Sequence, residues 1–223
     1  MGRLIEDRGL RDRQFVFKDR DDAGERLASA LEAYRGKNAI VLAIPSGGVP
    51  VAAKTAQQLV LPFDLLIVRK LQIPFNTEAG FGAMTLGGEV LLNDELVGSL
   101  GLGKDVINAA INTTKEILER RNQLFRKGRP MPNCRDMTVI ITDDGLASGY
   151  TMRTAARWVK SMRPQKIVVA VPTGPERTVK TLQKEVDEVV CLNIRTSMRF
   201  AVAEAYRNWY DLSDEEVLMI IAA

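Results

Sequence analysis

The chain has 223 residues, and 31 Lys and Arg against 28 Asp and Glu leave a net charge of +3; 46% of residues are apolar and 26% charged. That is the balance of a globular chain long enough to bury a core without covalent staples. The sequence contains no histidine, which excludes a Ser-His-Asp or Cys-His nucleophile, a His-ligated metal and a histidine acid/base. Two cysteines, Cys134 and Cys191, build neither a disulfide framework nor a Cys-rich zinc site, and 6% aromatics argue against a stacking platform for single-stranded nucleic acid.

Taken in chain order, the opening Met1–Arg8 has no apolar signal core and no myristoylation pattern, since Glu6 stands where Ser or Thr is needed. No apolar run approaches about 18 residues, so a cytoplasmic protein with no membrane partner is expected. Ala39–Ile44 is a buried-strand pattern stopped by Pro45, Gly47 and Gly48, and a helical pattern follows from Val49 to Leu59. Phe63–Val68 reads as a second strand. Residues 71–92, with Gly80, Gly82, Gly87 and Gly88, read as a long loop and a short hairpin. Gly103–Lys127 reads as one long helix.

Thr138–Thr142 reads as a third strand, followed by a helix over about Thr151–Ser161. Lys166–Val171 is a fourth strand, stopped by Pro172 and Gly174, and a helix runs from about Glu176 to Lys184. Val186–Leu192 is a fifth strand whose interrupting charges place it at an edge. Continuous apolar strands alternating with helices indicate an α/β fold: an open, mainly parallel sheet with helices on both faces. One domain spanning 1–223 is expected. Its core covers about 21–193, and a small hood is formed by the chain ends, about 1–20 and 194–223.

The most informative segment is Val139-Ile140-Ile141-Thr142-Asp143-Asp144-Gly145-Leu146-Ala147-Ser148-Gly149-Tyr150-Thr151. A strand ends in two adjacent carboxylates, and a turn with two glycines then opens a helix. Open α/β sheets bind ligands at such carboxyl ends. Free backbone N–H groups and the helix dipole favour an anion, most simply a phosphate, and the Ser148 and Thr151 hydroxyls can add donors. With no lysine in the turn, a Walker-type site is not indicated. Two acids beside a phosphate cradle need another partner, and a sugar diol or a magnesium ion suits both. The plain alternative is a strand ending in a helix N-cap with the two acids as turn residues.

A second strand–turn–helix lies at Ile44-Pro45-Ser46-Gly47-Gly48-Val49-Pro50, which taken alone is equally well a crossover turn. Arg69-Lys70 closes the second predicted strand. Gly98-Ser99-Leu100-Gly101-Leu102-Gly103-Lys104 nearly completes a Walker A pattern, but Asp105 follows where a hydroxyl is required.

The segment 139–151 closely resembles the 5-phosphoribosyl 1-pyrophosphate (PRPP) signature of type I phosphoribosyltransferases. The resemblance extends over nearly the whole chain, to a largely uncharacterised subgroup, through Phe17-Lys18-Asp19-Arg20, Val171-Pro172-Thr173-Gly174-Pro175 and Asp214-Glu215-Glu216-Val217. It implies that Asp143 and Asp144 hold the ribose diol and that Gly145, Leu146, Ala147, Ser148, Gly149, Tyr150 and Thr151 wrap the 5-phosphate. Gly149 would let the backbone approach that phosphate, so that Gly149→Val should weaken PRPP binding with little change in melting temperature. Ser46, Gly47 and Gly48 correspond to the pyrophosphate loop. Relatives often carry arginine at the place of Ser46, so Arg69 and Lys70 become the expected source of positive charge.

Residues 75–92 resemble the segment bearing the mobile loop, with Glu78 as a candidate catalytic or substrate contact. Magnesium is the implied cofactor, met by Asp143 and Asp144 directly or through ribose hydroxyls or water. The implied activity is phosphoribosyl transfer from PRPP to a nitrogenous base or amine, by a homodimer, with nucleic acid not expected as a partner. Ala147 stands where hypoxanthine-guanine enzymes carry an acid facing the purine, which disfavours 6-oxopurine acceptors. The alternative is a non-catalytic PRPP or nucleotide sensor, with the basic stretch 115–135, including Arg120-Arg121 and Arg126-Lys127, as a nucleic-acid footprint.

Overall fold

A computed structural model describes residues 1–73, 76–197 and 199–222, excluding the side chains of residues 76–79. In chain order the elements are β1 (Arg3–Ile5), α1 (Arg20–Ala30), β2 (Ala39–Ala43), α2 (Gly48–Leu59), β3 (Phe63–Leu65), β4 (Val68–Ile73), β5 (Asn76–Thr85), β6 (Val90–Leu92), α3 (Asp94–Ser99) and α4 (Lys104–Arg126). They continue with β7 (Thr138–Thr142), α5 (Tyr150–Ser161), β8 (Lys166–Pro175), α6 (Glu176–Leu182), β9 (Glu188–Arg195) and α7 (Asp214–Ala222).

The main sheet has six strands in the order β1-β9-β8-β7-β2-β3, and every neighbouring pair is parallel. Alternate residues of β2 serve opposite faces: Val41 and Ala43 pack with α1 and α2, while Ile40 and Leu42 pack with α5 and α6. Two-sided burial is why these strands read as continuous apolar runs. The strand order reverses between β2 and β7. After β2 the chain moves to β3 on one side, and after β7 it moves to β8 and β9 on the other. Ligands of open α/β sheets lie in the crevice at such a reversal. The two glycine-bearing turns that end β2 and β7 flank that crevice, with Ala43 in register with Thr142.

Between residues 63 and 195 the structure departs from the sequence reading in four places. The second strand is short: Leu66 N–H still donates to Ala43 O at 2.8 Å, but β3 is the sheet's edge, and from Val68 the chain enters a separate antiparallel sheet, β4-β5-β6. Within residues 71–92 the expected short hairpin is present as β5 and β6, but the part read as a loop also pairs, with β4. Their glycines signalled a loop, yet antiparallel hydrogen bonding uses only main-chain groups and needs no large side chain.

The third departure is that β8 runs through Pro172 to Pro175, because Thr173, Gly174 and Pro175 stay in register with Asn193, Ile194 and Arg195. Finally, β9 is interior, between β8 and β1. Its buried Glu188 accepts from Lys166 Nζ at 2.9 Å and from Tyr34 Oη at 3.1 Å, so a charge within the strand does not require an edge.

The chain ends meet each other. Phe15 and Phe17 N–H donate to Glu204 and Ala205 carbonyls at 2.8 and 3.0 Å, and Arg207 N–H donates to Phe17 O at 2.9 Å. The first residues also join the main sheet as β1, which at three residues is too short to carry a periodic signal. No helix among the described residues is long and apolar enough to cross a membrane.

Candidate active site

The turn after β7 begins with the acid pair. Asp143 Oδ1 accepts from the Asp144 N–H at 2.9 Å, while the Asp144 carboxylate turns the other way. Its Oδ2 lies 3.0 Å from both Nε and Nη2 of Arg20, at the start of α1. The Arg20 guanidinium also donates from Nη1 to Tyr210 O at 2.9 Å and lies 4.0 Å from the Trp209 ring centroid. Tyr206 donates its hydroxyl proton to Asp144 O at 2.5 Å. Segments from both ends of the chain thus fasten Asp144, leaving Asp143 to face the crevice.

Burial, and then the neighbouring charge of Asp144, push the Asp143 carboxyl well above the usual carboxylate range. Burial raises Asp144 too, with the Arg20 cation pulling against it. Two carboxylates this close disfavour simultaneous ionisation. A cation or a hydrogen-bond-donating diol at Asp143 would relieve the pair.

Beyond the acids, Leu146 N–H donates to Thr173 O and Thr178 Oγ1 donates to Ala147 O, both at 2.9 Å, which ties the turn to β8 and α6. Among the described residues, the backbone N–H groups of Ala147, Ser148, Gly149, Tyr150 and Thr151 have no protein acceptor. They border a cavity of about 420 Å³ that is also lined by Lys70 and Asp143. Unsatisfied amides at the start of a twelve-residue helix make an anion cradle.

Gly149 has φ +85°, and a Cβ there would collide with Thr178 Cγ2. Its geometry serves the turn itself, so Gly149→Val is expected to cost stability as well: valine is strained in the left-handed region and meets Thr178.

The turn after β2 packs directly on the acid pair. A Cβ on Gly48 would lie 2.8 Å from Asp143 Cα and 2.9 Å from Thr142 O, and one on Gly47 would collide with the Asp144 carboxylate. The two glycines let the turns touch; Ile44 and Pro45 border a second cavity of about 240 Å³. The Pro45–Ser46 peptide is cis.

The second cavity is walled by Arg69, Lys70, Arg121, Asp143 and Thr151. Arg69 and Lys70 reach it from β4, and not from the end of a main-sheet strand as the sequence suggested. Arg121 comes from α4, with Nη2 3.1 Å from Ser46 Oγ. Asp143, Lys70 and Thr151 border both cavities. Glu78 lies in β5, and its side chain falls outside the described residues.

Sequence reasoning missed Arg20, Tyr206 and Arg121 as site residues. Arg20 sat inside a quoted segment, Phe17–Arg20, but nothing local links it to an acid 124 residues away. The basic stretch 115–135 is mixed: Lys115, Arg120, Lys127, Arg129 and Arg135 are exposed, whereas Arg121 and Arg126 turn inward. Arg126 is 1% exposed and holds Asp64 through two hydrogen bonds of 3.0 and 2.9 Å, while Arg121 turns to Ser46. Asp143 is a single carboxylate, and among the described residues no group of three or more acid or thiolate side chains could cage a metal. The arrangement suits a magnesium ion carried mainly by ligand oxygens and water.

Residues 18–208 match the phosphoribosyl transferase domain family. A Mycobacterium tuberculosis protein named "Putative phosphoribosyl transferase" is 39% identical over 206 residues, which are 92% of this chain and 46% of that protein. The chain thus spans about half the length of the curated relative it matches. The crystal structure of TT1426 from Thermus thermophilus superposes with a TM-score of 0.75 at 32% identity, covering 92% of this chain and 97% of that one. The AQ2163 protein from Aquifex aeolicus shares the fold, with a TM-score of 0.50 at 13% identity over 84% of this chain and 78% of its own. With the matched region running from just before Arg20 through both turns to Asn208, the chain belongs to the phosphoribosyl transferase family and has a type I phosphoribosyltransferase-like fold.

Proposed function

We propose that the protein transfers the phosphoribosyl group of PRPP to a nitrogenous base or amine and releases pyrophosphate. The observation that carries this reading is the position of Asp143, shared by a cavity of unsatisfied amides and a cavity of cations. PRPP has that sequence of charges: a 5-phosphate, a ribose diol and a diphosphate on C1. The amides of Ala147–Thr151 with the Ser148 and Thr151 hydroxyls take the 5-phosphate. Asp143 accepts from the diol, and Asp144, held by Arg20, fixes the turn that presents it. Arg69 and Lys70 meet the diphosphate.

In the reaction, the acceptor nitrogen's lone pair forms the bond to C1 as the C1–O bond breaks, and the electron pair leaves with pyrophosphate. The ring passes through an oxocarbenium-like state, so the protein must stabilise positive charge on ribose and negative charge on the leaving group. Asp143 serves the first and the β4 cations the second. Magnesium, when bound, would lend further positive charge to the diphosphate, with Asp143 on its protein side. The proton of the acceptor nitrogen leaves to a pyrophosphate oxygen or to water, so the step balances without histidine, and positioning does most of the work.

The test is a screen of bases and amines for PRPP-dependent pyrophosphate release, with the double variant Asp143→Asn, Asp144→Asn as control. Release that needs both PRPP and one acceptor, and that the control abolishes, is expected. PRPP binding with no release from any acceptor would instead favour a sensor.

A further inference from the structure

Helix α4 does not belong to either strand–turn–helix unit that builds the crevice; it follows the small antiparallel sheet. Its Arg121 nevertheless ends at the turn after β2, with Nη2 donating to Ser46 Oγ at 3.1 Å. The guanidinium lies 5.5 Å from the Phe125 ring centroid, and the side chain is 20% exposed. Its nearest carboxylate is Asp214 of α7, at 3.8 Å and half exposed.

Arg69, Lys70 and Arg121 wall one cavity of about 240 Å³ in which Asp143 is the single acid among the described residues. Burial, and after it the Arg69 charge, hold Arg121 below its ordinary pKa; Asp214 opposes this and Arg120 adds to it. Like charges gathered around a half-closed space favour an anion carrying more than one charge. A guanidinium has five donors in a planar fork, so that one bond to Ser46 Oγ leaves others for phosphate oxygens.

We propose that Arg121 is the guanidinium that grips the diphosphate of PRPP, with the Ser46 hydroxyl as the bracket that orients it. This rests on the phosphoribosyl-transfer reading. The charge that Ser46 cannot supply thus reaches the turn from a distant helix, and the Asp214 contact is broken or loosened when the diphosphate binds. Arg121 is a binding residue for the leaving group, and its loss affects the diphosphate end of the ligand, not the 5-phosphate end.

The experiment titrates magnesium pyrophosphate and ribose 5-phosphate separately, by calorimetry, into the wild type, Arg121→Gln and the double variant Arg121→Gln, Ser46→Arg. Arg121→Gln should weaken pyrophosphate about tenfold or more and leave ribose 5-phosphate within about twofold, as expected for the loss of a charge-assisted contact. The double variant should recover part of the pyrophosphate affinity. An unchanged pyrophosphate affinity, or equal losses for both ligands in a folded variant, overturns the proposal.

A second measurement needs no variant to fold: arylglyoxal modification of the wild type, mapped by peptide mass spectrometry. Pyrophosphate should protect Arg121 and ribose 5-phosphate should not; equal reactivity with and without pyrophosphate overturns the proposal. A wild type that binds neither ligand overturns the phosphoribosyl-transfer reading itself, and Arg121's role with it.

Discussion

Replacing Arg20 by methionine removes the cation that holds Asp144. Arg20 and Asp144 are 7% and 14% exposed, and two nitrogens of the guanidinium lie 3.0 Å from one carboxylate oxygen. Breaking a covered ion pair by deleting one partner costs about 3–5 kcal/mol, because the remaining charge has lost its compensation. The Trp209 contact at 4.0 Å and the bond to Tyr210 O are removed by the same substitution, so they fall within this figure.

For a domain of this size each kcal/mol moves the melting temperature by about 2–4 °C, so Arg20→Met should melt about 6–20 °C lower. Denaturant unfolding of Arg20→Met, Asp144→Asn and the double variant gives the coupling directly. Since the neutral amide of Asp144→Asn needs no cation, the double variant should be less destabilised than the sum of the singles by about 2 kcal/mol or more.

The pH dependence has a definite sign. Without Arg20, burial drives the Asp144 carboxyl higher still, and a group whose folded pKa is raised loses its stabilising contribution as pH rises through that value. The gap between wild type and Arg20→Met should therefore widen from acid toward neutral pH. Additive single substitutions, to within about 0.5 kcal/mol, together with a pH-independent gap, would refute the clamp.

Gly149→Val should lower stability as well as phosphate affinity, because φ is +85° there and a Cβ collides with Thr178; a variant with native melting temperature and weakened ribose 5-phosphate binding would return the glycine to a ligand role alone. Burial pushes the Asp64 carboxyl up, but hydrogen bonds from Arg126 and the Leu65 N–H outweigh it and leave the pKa below the ordinary value. A depressed carboxyl contributes stability above its unfolded pKa of about 3.9 and loses it as pH falls through the folded one. The stability gap between wild type and Asp64→Asn, read from denaturant midpoints, should accordingly be full near pH 6 and shrink toward about pH 3; a constant gap would show that Asp64 and Arg126 do not behave as an ion pair.

The crevice was legible in the chain because its parts are local. A strand buried on both faces must be apolar throughout, so Ala39–Ala43 and Thr138–Thr142 announce themselves, and the glycines and acids that follow are consecutive residues whose chemistry needs no distant partner. The long helix α4 was legible for the same reason, from its own periodicity. Elements whose stability comes from pairing were not. The glycines of β5 looked like a loop until β4 and β6 supplied main-chain partners on either side, and Glu188 looked like an edge residue until Lys166 and Tyr34 closed over it.

The division runs through the candidate site too. Asp143 and Asp144 are adjacent and chemically alike, and the packing of the chain ends separates them, turning one to Arg20 and leaving the other to the crevice. Arg121 and Ser46 are 75 residues apart, on elements with no local signal for each other. Composition and short-range pattern report what each segment can bury or bind by itself. Which charge meets which depends on the strand order and on where the chain ends fold back, and those are set by the packing of the whole chain.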